Sequence, residues 1–386
     1  MNIHQIVPGF SDEAAGPSYS VSGLCCGLIE NGVNVTLHSL AVPKAVTFPF
    51  RVQLYSTCSF PCKALGRSPQ MLKALRATCM QADIIHNNSL WMFPNIYPGW
   101  AVRRTRCKLV TAPRGTLAEW SLRRSYWKKK IIGLLFQNAV LRRTDMFHAT
   151  SEKEYEEIRA QGYRQPVAIV PIGMDLPELE VSGSEFRVSG FGLEKRLKRV
   201  VFFGRLHKVK GVDRLLLAWE KVARDGWEVV IAGPDCGMLE ELKGIVAERK
   251  LPRVSFVGEI NGPAKYEFLA GGDVYVLPSD TENFGVTVAE ALASGTPVIA
   301  SQGTPWQGLE RERCGRWVPI GVEPLAAALE ELMGMDDTER TAMGARGRAW
   351  IRRDFSWKGI GAQMKAAYEW LLAPEKVEKP EFVVCD

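Results

Sequence analysis

VYVLPSDTENFGVTVAEALASGTPVIA, residues 274–300, is the stretch whose reading decides the fold. Val274 to Leu277 is an apolar run of strand length that stops at Pro278 and a polar loop bearing Glu282. Gly285 then lets the backbone approach a ligand closely, and a helix starts whose first amides are able to hold phosphate. Glu290 falls inside that helix with apolar neighbours on both sides, and Pro297 to Ala300 begins another apolar run. Strand, loop, helix and strand in this order imply a parallel sheet.

The same grammar extends outward. Arg199 to Phe203, Glu228 to Ala232 and Val254 to Val257 read as strands, and Gly211 to Arg224 as a helix. In the first half, Ile3 to Val7, Val33 to Leu40, Asp83 to His86 and Lys108 to Ala112 are strand-like, and Tyr19 to Asn31 is a helix ended by Gly32. Between the halves, Met174 to Lys195 carries Pro177, Gly183, Gly190 and Gly192 without clean periodicity and reads as a linker. The expected organisation is a doubly wound domain over 1–180, a second over 181–355, a C-terminal helix over 356–373 returning towards the first, and a flexible tail over 374–386. Ligands of such open sheets lie beyond the carboxyl ends of the strands, and two sheets facing each other make an interdomain cleft.

At 386 residues the chain exceeds what one core usually supports, and 46% hydrophobic with 24% charged residues is ordinary soluble composition. No secretory leader or membrane span is legible, so a cytoplasmic location is expected. Nine cysteines, with Cys25 and Cys26 adjacent and Cys58 and Cys62 isolated, form no zinc pattern and read as reduced thiols. His4, His38, His86, His148 and His207 show no metal-ligand spacing and read as satisfied polar or core residues. A serine hydrolase elbow, a Walker loop and a dinucleotide glycine fingerprint are absent.

Chemistry concentrates after two strands. Arg205 and Lys210 follow the strand ending at Phe203 and precede a helix, which suits a pyrophosphate, although basic loop residues are as often simply solvated. Glu290, a carboxylate in an apolar helix, needs partners for its oxygens: vicinal hydroxyls such as those of ribose, or else a buried structural salt bridge.

Glu282 and Glu290 with seven residues between them, Phe284-Gly285 inside that interval and Gly295-Thr296-Pro297-Val298 after it, resemble glycosyltransferase family 4, the group 1 type of glycosyl transferases. Phe203-Gly204-Arg205-Leu206 with Lys210-Gly211 is similar to that family's phosphate-binding segment. The resemblance implies the GT-B fold and a retaining transfer of a hexose from a UDP- or GDP-sugar. It implies that Arg205 and Lys210 bind the donor diphosphate, that Glu290 holds the ribose hydroxyls, and that Glu282 holds the transferred sugar with the amides of Phe284, Gly285 and Val286. The base is expected near Ile260, and Gly16 stands where the family's early glycine loop approaches the phosphates. Ile85-His86-Asn87-Asn88 resembles the family's strand and polar turn.

Two departures stand out. Many relatives carry histidine before Gly115, where this chain has Arg114; an arginine cannot act as a base at neutral pH but can hold a hydroxyl or phosphate charge. Ile172 replaces an asparagine frequent in the family. With Arg205 and Lys210 to neutralise the diphosphate, no essential metal and no other cofactor are expected.

Residues 103–143 hold twelve Lys or Arg against one acid, Glu119, with Trp120, Tyr126 and Trp127 interleaved before Ile131 to Phe136. This suits an anionic membrane surface and a lipid-linked acceptor, as in bacterial lipopolysaccharide or exopolysaccharide synthesis; it is equally the pattern of a core helix with a solvated face. No RNA-binding signature accompanies it, so no nucleic acid partner is expected. Transfer to a small soluble acceptor, or a non-catalytic nucleotide- or nucleic-acid-binding module, are the alternatives.

Overall fold

The structure, a computed structural model, describes residues 1–9, 16–41, 48–58, 65–123, 126–176 and 197–385. Its strands are β1 (Asn2–Ile6), β2 (Asn34–Ser39), β3 (Arg51–Leu54), β4 (Ile84–Asn88), β5 (Lys108–Ala112), β6 (Met146–Ala149), β7 (Val167–Ile169), β8 (Lys198–Phe203), β9 (Trp227–Ala232), β10 (Val254–Gly258), β11 (Val274–Leu277), β12 (Val298–Ser301), β13 (Gly315–Val318) and β14 (Val383–Val384). They form two sheets, each in its own compact unit: Met1–Gly173 with Phe355–Asp386, and Met174–Asp354. Two parallel-sheet α/β units make this a GT-B fold.

In the second unit the order is β10-β9-β8-β11-β12-β13, all parallel. The chain winds outward from β8 through β9 to β10, then returns to β11 and winds the other way. β8 and β11 are therefore neighbours from which successive connections diverge, the switch point where such sheets open a crevice at the carboxyl ends of the strands. The helix Val212–Val222 covers one face with Val212, Leu215, Leu216 and Trp219, the spacing of a single apolar stripe.

In the first unit the order is β14-β7-β6-β5-β4-β1-β2-β3, so the switch point lies between β1 and β4. The helices Gly16–Glu30 and Trp357–Leu372 pack so closely that a Cβ on Gly361 would stand 2.2 Å from the backbone of Gly27. Any larger residue at either position would push the helices apart, which is how the chain's last helix comes to belong to the first unit.

Three expectations are corrected. The segment taken as a flexible tail carries β14, which pairs antiparallel with β7 and buries Val383; the short apolar run Phe382 to Val384 finds an open sheet edge there. Asn87 and Asn88, read as a polar turn, lie fully buried inside β4 because Asn95 donates to the Asn87 Oδ1 at 3.0 Å and to the Asn88 carbonyl at 2.8 Å. Beyond that, β3, β6, β7 and β13 are strands that the sequence reading left out. The glycines of the expected linker, Gly183, Gly190 and Gly192, lie outside the described residues, as does Arg124 of the basic segment.

Candidate functional site

The residues singled out after β8 and β11 meet at the switch point of the second unit. Gly211 takes a left-handed conformation (φ 66°) and caps the helix Val212–Val222, while the strand β11 is followed by Pro278, whose carbonyl accepts from Arg214 Nη2 at 2.8 Å. Arg214 also pairs with Asp280 at 2.7 Å, and the Asp280 amide donates to the Val209 carbonyl at 2.8 Å. These bonds tie the two post-strand loops together.

Lys210 and Glu282 sit across that junction. Lys210 Nζ lies 2.6 Å from Glu282 Oε1, the same oxygen accepts from Ser279 Oγ at 2.7 Å, and both charged side chains are only 14% exposed. An ammonium has three N–H groups, so this pairing leaves Lys210 donors for an anion. Arg205, in the loop directly after β8, is exposed, and its guanidinium makes no hydrogen bond or ion pair among the described residues.

Gly285 begins the next helix. Its φ of 79° and ψ of 60° cap Val286–Ala293 without any side-chain capping bond; the Val288 amide donates to the Gly285 carbonyl at 2.9 Å, and the amides of Val286 and Thr287 have no intrahelical acceptor. Phe284 is buried against Trp306 (ring centroids 5.2 Å apart), and the indole N–H donates to the Phe284 carbonyl at 2.5 Å. The loop entering the helix is thus braced from behind by an indole.

Glu290 is 5% exposed on this helix, and its Oε1 accepts from Lys265 Nζ at 2.6 Å. Its other oxygen makes no hydrogen bond among the described residues. Burial pushes the Glu290 carboxyl upward, against Lys265, with Asp175 adding to the rise. Burial likewise disfavours the Lys265 charge, but the charge and hydrogen bond of Glu290 outweigh it and hold the lysine above its ordinary range. The ammonium therefore persists at neutral pH, and its ring contact with Tyr266 at 4.8 Å adds to that. The salt bridge read as the alternative for Glu290 exists, yet it engages only one carboxylate oxygen. Ile260 lies two residues past β10, half-buried.

In the first unit, Arg114 and Gly115 both have left-handed backbones (φ 56° and 73°), which for arginine persists only where the surroundings enforce it. The enforcing group is Glu154. One of its oxygens accepts from the Gly115 amide at 2.7 Å, and the other from the Thr150 amide and hydroxyl, each at 2.8 Å. The half-buried Arg114 guanidinium donates to Asn88 Oδ1 through Nη2 (3.0 Å) and Nε (3.3 Å). Burial lowers its pKa and the nearby Glu154 and Tyr368 oppose that.

Behind Arg114 runs a buried polar chain. His148 Nε2 lies 2.8 Å from the Val170 carbonyl and must donate there, so its Nδ1 accepts from His86 Nε2 at 3.4 Å, and His86 Nδ1 accepts from the Tyr368 hydroxyl at 2.6 Å. Burial, helped at both rings by the Arg114 charge, holds His148 down to about 3 and His86 well below the usual range. Both imidazoles are neutral with every nitrogen engaged, so neither is a free base beside Arg114. His4 and His38 form a second such pair, 2.8 Å apart, on β1 and β2. Among the described residues no three His, Cys, Asp or Glu side chains gather in a way that holds a metal. Gly16 opens the helix after the β1 loop.

Sequence reasoning did not find Ser279, Lys265, Trp306, Glu154 or Tyr368. Glu154 had a local signal: Ser151 and Glu154 stand at capping-box spacing, and Ser151 Oγ indeed accepts from the Glu154 amide at 3.2 Å. The others are partners across the fold without any local signature.

Two family models match: one described as glycosyl transferases group 1 over residues 186–350, and one described as a glycosyl transferase 4-like domain over residues 15–173. The chain is 30% identical over 207 residues to the phosphatidyl-myo-inositol mannosyltransferase of Mycobacterium tuberculosis, an alignment covering 52% of this chain and 53% of that protein. The chain thus spans about half the length of the curated relatives it matches first. Among solved structures, sucrose-phosphate synthase from Thermosynechococcus elongatus superposes with a TM-score of 0.72 at 21% identity, covering 97% of this chain and 100% of the other. Anabaena HepE in complex with UDP-glucose does so with a TM-score of 0.71 at 16% identity, covering 96% and 99%.

Proposed function

We propose, from the premise that this chain belongs to the glycosyl transferases group 1, that it moves a hexose from a UDP- or GDP-sugar to a growing glycan with retention of anomeric configuration. The observation that most supports this is the pair Glu282 and Glu290 at the β8/β11 switch point, each with one oxygen held by a lysine. In this reading the second oxygen of Glu290 accepts the ribose hydroxyls, and Glu282 holds hydroxyls of the transferred sugar beside the backbone of Phe284, Gly285 and Val286.

As the bond between the anomeric carbon and the diphosphate oxygen breaks, negative charge grows on the diphosphate. Arg205, the remaining donors of Lys210 and the amides of Val286 and Thr287 stabilise it, so no essential metal is needed. The acceptor hydroxyl attacks from the face the diphosphate leaves, its oxygen bonds the anomeric carbon, and its proton passes to a phosphate oxygen. Arg114 supplies a fixed charge and hydrogen-bond donors on the first unit rather than a base. A lipid-linked acceptor in bacterial surface polysaccharide synthesis, met at the inner face of the cytoplasmic membrane, is supported by the basic and aromatic composition of 103–143 and by a relative whose name specifies a phosphatidyl-linked acceptor.

The test is a panel of UDP- and GDP-hexoses offered with lipid-extracted and with soluble glycans. Product with a retained anomeric centre, formed on the lipid fraction from one donor class, is expected. Product only on soluble glycans would remove the lipid-linked part of the reading. Donor binding without hydrolysis or transfer across the whole panel would remove the catalytic part.

A further inference from the structure

The segment following Glu119 has two apolar faces, and only one of them is used inside the protein. Tyr126–Ile132 is a helix that continues through a π turn, Gly133–Gln137. Its inner side is fixed: Phe136 packs at 6.2 Å against Phe93 and at 5.8 Å against Trp100, Ile132 joins the same core, and Gln137 Oε1 accepts from the Trp91 amide at 3.1 Å. Lys129 also turns inward, donating to the Ser121 carbonyl.

The outer side carries Trp127, Ile131, Leu134 and Leu135, at i, i+4, i+7 and i+8, exposed by 71%, 57%, 80% and 60%. Of the eleven exposed large hydrophobic residues among the described residues, six lie between Trp120 and Leu135, so the exposure is concentrated in one patch rather than scattered. Exposed Lys128 and Lys130 flank it, and Lys130 Nζ stands 5.3 Å and 5.4 Å from the Trp127 and Tyr126 ring centroids.

We propose that this outer face docks on an anionic lipid surface, with the aliphatic stripe entering the headgroup region and the lysines meeting its charge. The composition decides among occupants. A two-fold contact with a second copy would set Lys128 and Lys130 against their own counterparts, and the one acid of residues 103–143, Glu119, is already paired with Arg123 at 2.6 Å. A nucleic acid would be held on stacked aromatic rings, whereas three of the four stripe residues are aliphatic. No helix among the described residues is long and apolar enough to cross a membrane, so this is a contact with the surface of one leaflet. The proposal deepens the lipid-linked-acceptor reading and rests on it only for where the surface is used, because binding is measured without donor or acceptor.

The test is co-sedimentation of the full chain with vesicles of phosphatidylglycerol and phosphatidylcholine, and with phosphatidylcholine alone, at low and high salt. Binding to the anionic vesicles that weakens with salt is expected. The variant Trp127→Ser/Leu134→Ser/Leu135→Ser should lose at least about tenfold in affinity. Lys128→Gln and Lys130→Gln should each lose about fivefold at low salt. These side chains are solvent-exposed, and an unchanged thermal midpoint confirms that each variant folds. Wild-type protein left in the supernatant, or full binding by the triple variant, would overturn the proposal. So would a dimer of the wild type that the triple variant dissociates, or capture of single-stranded RNA in place of vesicles. Vesicle binding with no transfer activity would count against the transfer reading alone.

Discussion

Glu290→Gln separates a ligand-binding role from a purely structural one. The substitution keeps the side-chain shape, and the amide oxygen still accepts from Lys265, now without the charge that the 2.6 Å pair supplies. Complete removal of one member of a buried pair costs roughly 3–5 kcal/mol. Retaining the hydrogen bond should hold the loss of stability here to about 1–2 kcal/mol. At the other oxygen the change is qualitative: an acceptor becomes an NH₂ donor. If that oxygen accepts from ribose hydroxyls, the variant loses hydrogen bonds to a charged group worth about 1.5–3 kcal/mol each. The affinity for UDP or GDP should then fall by roughly ten- to a hundredfold. Calorimetry with whichever nucleotide binds, and with its 2′-deoxy analogue, makes the comparison: wild type should discriminate against the deoxy form and Glu290→Gln should not. A variant that is less stable but binds and discriminates as wild type does would leave Glu290 a structural residue and refute the assignment.

Glu282→Ala should reduce transfer by at least about a hundredfold while nucleoside diphosphate affinity stays within about threefold, since its expected partner is the sugar; equal losses in both would move Glu282 to the diphosphate subsite. Glu154→Ala strands the Gly115 and Thr150 amides and should lower stability by about 3 kcal/mol along with transfer, with Glu154→Gln recovering part of each, read by denaturant unfolding and initial rates. Acid should weaken the first unit in a defined window. Unfolded imidazoles protonate near 6.5 but folded His38 and His148 only near about 3, so stability is complete above pH 6.5 and is lost as pH falls from there. The loss is about 2 kcal/mol per histidine by pH 5, and an unfolding midpoint that stays level from pH 7.5 to 5 would contradict it.

The sequence by itself determined the alternation of strands and helices, because short apolar runs and glycine turns are local signals. It also placed Arg205, Lys210, Glu282 and Glu290 in post-strand loops and the helix that follows. Their spacing carries over directly: whatever ends at Leu277 and restarts at Val286 must put Glu282 before a helix and Glu290 about one turn into it. What only the tertiary structure decided are the partners. Lys265 reaches Glu290 from 25 positions away and Tyr368 reaches His86 from 282 away, both depending on which elements pack side by side. Asn87 and Asn88 look like a turn until Asn95 satisfies them inside the core, and Phe382 to Val384 look frayed until β7 offers an edge. The two apolar faces at Tyr126 to Gln137 show the same division. The sequence holds enough hydrophobic residues for both faces, but only the packing of Phe136 against Phe93 and Trp100 shows which face the core takes and which is left to water. A local pattern records what a residue can do, whereas burial and pairing depend on surfaces that exist only once the sheet order has been set.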